Sequence, residues 1–140
     1  MSSPARRSTS RADQRRSDAG LPGGQERRRR EVRPVEVNWR IEPDGILITL
    51  TNVLVVTNCF AVRDRLAGYC DRFTARRFTV DISGVPYADT TGLGILAELK
   101  GRCLRDRKEL IVINPTPRVR EIMELLHFDQ ILLAEKQPFP

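Results

Sequence analysis

The chain has 140 residues, 40% of them apolar and 30% charged, a length and composition that suit one packed domain. No run approaches the roughly 20 consecutive apolar residues of a membrane span, and Met1 to Ala12 is Ser- and Arg-rich rather than an apolar signal segment. A cytoplasmic protein that does not span a membrane is the expectation.

The net charge of +6 is unevenly placed. Residues 1–33 hold ten Arg against four acids, whereas residues 34–140 balance. The first segment has Leu21 and Val32 as nearly its only large apolar residues, too few to offset a backbone ordering cost of about 1–2 kcal/mol per residue. Residues 1–33 therefore read as a disordered Arg/Ser-rich tail, and residues 34–140 as the folded domain. The run Arg27 to Arg30 suits an anionic partner, but no aromatic residues interleave it to stack on bases. Nucleic acid is thus an unfavoured partner.

After Pro34, Val35, Val37, Trp39 and Ile41 alternate with Glu36, Asn38, Arg40 and Glu42, the period of a half-buried strand. Pro43-Asp44-Gly45 supplies a turn and Ile46 to Leu50 a second strand, so 35–51 reads as a hairpin. Val53 to Val56 is ambiguous and suits a crossing of the sheet. A helix is predicted over about Thr57 to Phe73, with Phe60, Leu66, Ala67, Cys70 and Phe73 on its apolar face. Phe78 to Ile82 is strand-like and ends at Gly84 and Pro86. A second helix, about Thr90 to Arg105, buries Leu93, Leu96, Leu99 and Cys103. Leu110 to Ile113 is a short apolar strand closed by Asn114-Pro115-Thr116-Pro117. A third helix, about Arg118 to Leu126, buries Val119, Ile122, Met123 and Leu126, and Ile131 to Leu133 suits one more edge strand. The order predicts an α/β fold, a small mixed β-sheet with helices packed mainly on one face.

Three cysteines without Cys-x-x-Cys spacing make neither a disulfide framework nor a zinc site. Cys59 and Cys70 on one helix would lie roughly 16 Å apart, beyond a bridge, so all three read as small buried hydrophobes. His127 is the only histidine. No His, Cys or Lys is placed to complete a nucleophile and base with Asp81 or Asp89, and no Gly-rich phosphate loop precedes a Lys. No enzyme activity, metal or cofactor is expected.

The informative stretch is Val80 to Gly94, where a buried strand ends, the chain turns, and a helix begins at Asp89 or Thr90. Either residue type makes a good N-cap. Free N–H groups and the positive end of the helix dipole favour a phosphate there, and one on Thr90 would change the surface charge by roughly −2. Asp89 places a negative charge beside it, so the expected readout is repulsion of a partner. Gly92 and Gly94 each cost up to about 1 kcal/mol in a helix. Close approach of another surface, or tight packing on the neighbouring strand, is what would require them.

The run Tyr87-Ala88-Asp89-Thr90-Thr91-Gly92-Leu93-Gly94-Ile95-Leu96, in its strand–helix setting, resembles the STAS domain of anti-sigma factor antagonists. The likeness covers about residues 35–135 and includes the later segment Arg118 to Ile131. It implies a fold of that type and a cycle of partner switching. An anti-sigma factor that is also a serine/threonine kinase would phosphorylate the hydroxyl after Asp89, and a phosphatase would reverse it. Thr90 is then the acceptor, with Thr91 the alternative, and Asp89, Thr90, Thr91, Gly92, Leu93 and Gly94 form the partner surface. Many such antagonists carry a Gly-Glu-Leu-Asp-like turn after the second strand. Here Thr51-Asn52-Val53-Leu54 stands in its place, which leaves open a STAS scaffold that assembles a larger signalling or membrane-associated complex without phosphorylation.

Overall fold

A computed structural model describes residues 32–133. The expected tail therefore lies, apart from Val32 and Arg33, outside the described residues. Strands β1 (Glu36–Glu42) and β2 (Gly45–Thr51) form the expected antiparallel hairpin. Strands β3 (Arg77–Gly84) and β4 (Glu109–Ile113) then add in parallel, giving one sheet in the order β1-β2-β3-β4. Parallel neighbours need long crossovers. These are α1 (Cys59–Arg72) between β2 and β3, and α2 (Thr90–Arg105) between β3 and β4. Helix α3 (Pro117–Leu125) and the short α4 (Asp129–Leu132) close the described chain.

Strand alternation sorts the sheet into two faces. Ile46, Ile48, Leu50, Phe78, Val80, Ile82, Leu110 and Val112 are buried and share one core with the inner sides of all four helices. On the other face Leu47, Thr49, Thr79, Ile111 and Ile113 are only half-buried. This is the expected layer of helices on one side of a mixed sheet.

Three expectations change. Phe60 is 42% exposed; α1 begins at Cys59 and buries Cys59, Val62, Leu66, Tyr69 and Cys70 instead. Leu126, expected in the core, follows α3 as its C-cap and is exposed. The segment Ile131 to Leu133 is no strand: Asp129–Leu132 is helical, and Leu133 pairs with the sheet through a single parallel bridge to Val112. The hairpin also runs past its cover. Val37 is buried and Trp39 packs on Phe73, ring centroids 4.9 Å apart, but Ile41 lies 69% exposed near the turn.

Candidate functional site

Because β2 and β3 are parallel, α1 and α2 both start at the same edge of the sheet, and the two loops that lead into them meet there. Leu54 and Ala88 form a parallel bridge. The Leu54 N–H donates to the Tyr87 carbonyl at 2.9 Å, and the Asp89 N–H donates to the Leu54 carbonyl at 3.2 Å. The Asn52 N–H reaches the Gly84 carbonyl at 3.0 Å. Asn52 sits at φ 98°, a region that asparagine tolerates better than most residues, and its side chain donates to the Pro34 carbonyl at 3.0 Å. This is how Thr51-Asn52-Val53-Leu54 turns without a glycine.

Asn58 locks the same loop from inside. Its Oδ1 accepts from the Val55 N–H at 2.9 Å, and its Nδ2 donates to the carbonyls of Arg33 and Val53, both at 2.9 Å. At 8% exposure it is the buried polar residue of the described core. It stands at the N-cap position of α1 but makes no capping bond; loop closure takes its polar atoms. The sequence reading started this helix at about Thr57 and gave Asn58 no role.

Asp89 is the N-cap of α2. Its Oδ1 accepts from the Gly92 N–H at 2.8 Å, and its Oδ2 accepts from the Val56 N–H at 3.0 Å. One carboxylate thereby ends a helix and ties down the neighbouring loop. It also raises the pKa of the buried Cys59 thiol, second to burial itself, so Cys59 is no activated nucleophile.

Thr90 follows as the first helical residue and is exposed; Thr91 is half-buried. Their N–H groups belong to the open first turn, and Asp89 uses only that of Gly92. Gly92 is buried, and a Cβ there would meet the Leu54 carbonyl oxygen at 2.2 Å. Packing against the chain's own loop therefore explains this glycine. Gly94 is different: a Cβ there would meet nothing within 4 Å. Leu93 is fully buried. Of the six residues expected to form a partner surface, Gly92 and Leu93 are thus buried.

Exposed apolar side chains flank Thr90. Val56, bonded to Asp89, is 49% exposed, Phe60, second residue of α1, is 42% exposed, and Tyr87 is 37% exposed. Arg63 lies over the Phe60 ring at 5.2 Å and Arg118 over the Tyr87 ring at 5.3 Å. The Thr116 hydroxyl, which caps α3 through the Val119 N–H, lies 3.4 Å from the Val85 carbonyl and so holds Arg118 beside this edge. The sequence reading missed Val56 and Arg118, and it placed Phe60 in the core; the exposed, aromatic-bearing start of a helix was the available signal.

The family model described as Mlab, STAS domain, matches residues 37–134. A STAS-domain containing protein of Pseudomonas aeruginosa (strain UCBPP-PA14) is 31% identical over 58 residues, 41% of this chain and 57% of that protein. The match thus spans little more than half of the relative. Among solved structures, the anti-sigma factor antagonist SpoIIAA in its unphosphorylated form superposes with a TM-score of 0.60 at 13% identity, over 70% of this chain and 86% of that one. An anti-sigma factor antagonist from Mycobacterium paratuberculosis gives 0.59 at 13% identity, over 70% and 82%. The murine Solute Carrier 26 family member A9 anion transporter gives 0.54 at 16% identity, over 66% of this chain but 18% of the transporter. At these identities the structural likeness speaks to the fold alone. Among the described residues no helix is long and apolar enough to cross a membrane.

Proposed function

The chain belongs to the STAS-domain family, and from that premise we propose that it is an anti-sigma factor antagonist switched by phosphorylation at Thr90. The observation that carries the reading is an exposed Thr90 hydroxyl at the first position of α2, beside an Asp89 carboxylate already spent on two backbone N–H groups. In its unphosphorylated state the protein docks an anti-sigma factor that is also a serine/threonine kinase, in the cytoplasm. Val56, Phe60 and Tyr87 supply apolar area for that contact, around the Asp89–Gly94 segment. Transfer of the terminal phosphoryl group of ATP to the Thr90 oxygen releases the hydroxyl proton and adds about −1.5 to −2 charges. The open N–H groups of the first turn favour the phosphate, while Asp89, with no spare role as its partner, adds to the negative charge facing the docked protein. A phosphatase restores the hydroxyl.

The test is direct. Thr90→Glu should weaken binding to the cognate anti-sigma factor at least tenfold while the circular dichroism spectrum stays that of the parent. Equal binding would remove the charge-repulsion mechanism.

A second reading is favoured by the description Mlab on the matching family, by the likeness to a domain-sized part of an anion transporter, and by the loop Thr51 to Leu54, which carries no acid. In that reading the same edge docks a subunit of a membrane-associated assembly and Thr90 stays unmodified. Recovery of transporter subunits and no kinase with the tagged protein would select it.

A further inference from the structure

Helices α1 and α2 carry the docking edge at their N-terminal ends and a pair of thiols near their C-terminal ends. The Cys70 and Cys103 sulfurs lie 3.3 Å apart, and the two residues are 1% and 0% exposed. We propose that Cys70 and Cys103 are a covalent modification site, a dithiol that a hydroperoxide converts to a disulfide linking α1 to α2. This goes beyond the switch at Thr90 and holds whether or not that residue is phosphorylated.

The geometry favours closure over any other bond these cysteines can make. A disulfide needs its sulfurs about 2.05 Å apart, so the pair has little more than an ångström to close. Cys59, the third cysteine, lies three turns from Cys70 at the other end of α1 and is itself buried. Above the pair, the seam between the helices is bridged by Arg102, next to Cys103, and Asp71, next to Cys70. One guanidinium nitrogen lies 3.2 and 3.0 Å from the two carboxylate oxygens. Both partners are about half exposed, and such surface pairs hold weakly. A groove of about 280 Å³ lined by Ala67, Leu99 and Arg102 already runs along the same seam, and opening the ion pair is the step by which a small oxidant would pass from it to the sulfurs.

The chemistry has a directed first step. The hydrogen bond between the two sulfurs holds the Cys103 thiol below its ordinary pKa, and the Lys108 ammonium acts the same way against the effect of burial. Cys70 is pushed up, first by that hydrogen bond and then by burial. The Lys108 ammonium favours the thiolate of either sulfur, and we assign the attack to Cys103. Its thiolate takes one oxygen of the hydroperoxide, forming a sulfenic acid and releasing the other oxygen as water or alcohol once protonated. The Cys70 thiol then attacks that sulfur, and the sulfenic oxygen leaves as water. Two thiols lose two electrons and two protons, and one peroxide bond is reduced. Any dithiol reductant reverses the step by exchange.

The experiment uses the full chain, reduced, then exposed to hydrogen peroxide and alkylated after denaturation. The reduced protein should take up three alkyl groups. The oxidised protein should take up one, lose the mass of two hydrogens, and yield a peptide pair joining Cys70 to Cys103. Closing a loop of this length should raise the thermal midpoint by on the order of 10 °C, reversed by reductant. Cys59→Ser should leave all of this unchanged. Cys103→Ala, checked for folding by circular dichroism, should keep both remaining thiols free. Uptake of three alkyl groups after peroxide, a bridge that includes Cys59, or a bridge between two chains would overturn the proposal.

Discussion

The two ends of the helix pair are built from opposite materials. At the N-terminal end a carboxylate, Asp89, accepts backbone N–H groups, an amide, Asn58, closes the loop, and apolar side chains face outward. At the C-terminal end an ammonium does the holding. Lys108 donates to the carbonyls of Cys70 and Phe73, and Lys100 donates to the Leu110 carbonyl at 2.8 Å. Here the outward side chains are largely charged, with Arg76, Arg77 and Arg107 around an open groove of about 550 Å³. Asp89 and Lys108 match the sign of the helix termini they serve, while Lys100 ties α2 to β4. The difference is that the N-terminal end spends its polar groups internally and leaves apolar area uncovered, which suits a protein partner. The C-terminal end rings its groove mainly with charges, with Leu104 exposed among them.

Gly92 offers the sharpest way to break one end and spare the other. Gly92→Ala drives a Cβ into the Leu54 carbonyl and should cost about 2–3 kcal/mol, as overpacking does. Gly94→Ala, with open space around it, should be neutral or stabilising by up to about 1 kcal/mol. Urea denaturation of both variants measures the contrast, and equal effects would mean that the loop packing is misassigned. Asn58→Ala strands the Val55 N–H and two carbonyls and should cost about 1–3 kcal/mol, read by the same titration. Smaller again are the two terminal holds. Asp89→Ala and Lys108→Met should each cost about 1 kcal/mol, but only the Asp89 variant should speed amide exchange at Val56. Equal protection of Val56 in both would dissolve the comparison.

How much of this was legible depended on the range of the interaction. The hairpin, α2 and its cap are local: alternation from Val35 to Glu42, a Pro-Asp-Gly turn, and Asp-Thr-Thr-Gly at a helix start name themselves. The Asp-Thr-Thr-Gly run that carries the proposed switch was legible for the same reason. The face of α1 was misread at Phe60 because the apolar set Cys59, Val62, Leu66, Tyr69 and Cys70 fits the helical period as well, and only the partner surfaces choose between them. The segment Ile131 to Leu133 is a three-residue apolar run too short for its period to choose between strand and helix, and the Phe128 carbonyl accepts from both Ile131 and Leu132. Asn58 and the Cys70–Cys103 pair were not legible at all, and Gly92 was legible only as a glycine that some close neighbour must require. Each acts on residues distant in sequence or on a neighbouring loop, and spacing along one helix says nothing about a contact across two.

The most direct test of the account is a phosphate map. The protein, incubated with ATP and its cognate anti-sigma kinase, should carry one phosphate, located by mass spectrometry on Thr90, and Thr90→Ala should carry none. A Thr90→Ala protein that accepts phosphate as well as the parent does, or a phosphate that maps to Thr91, would contradict it.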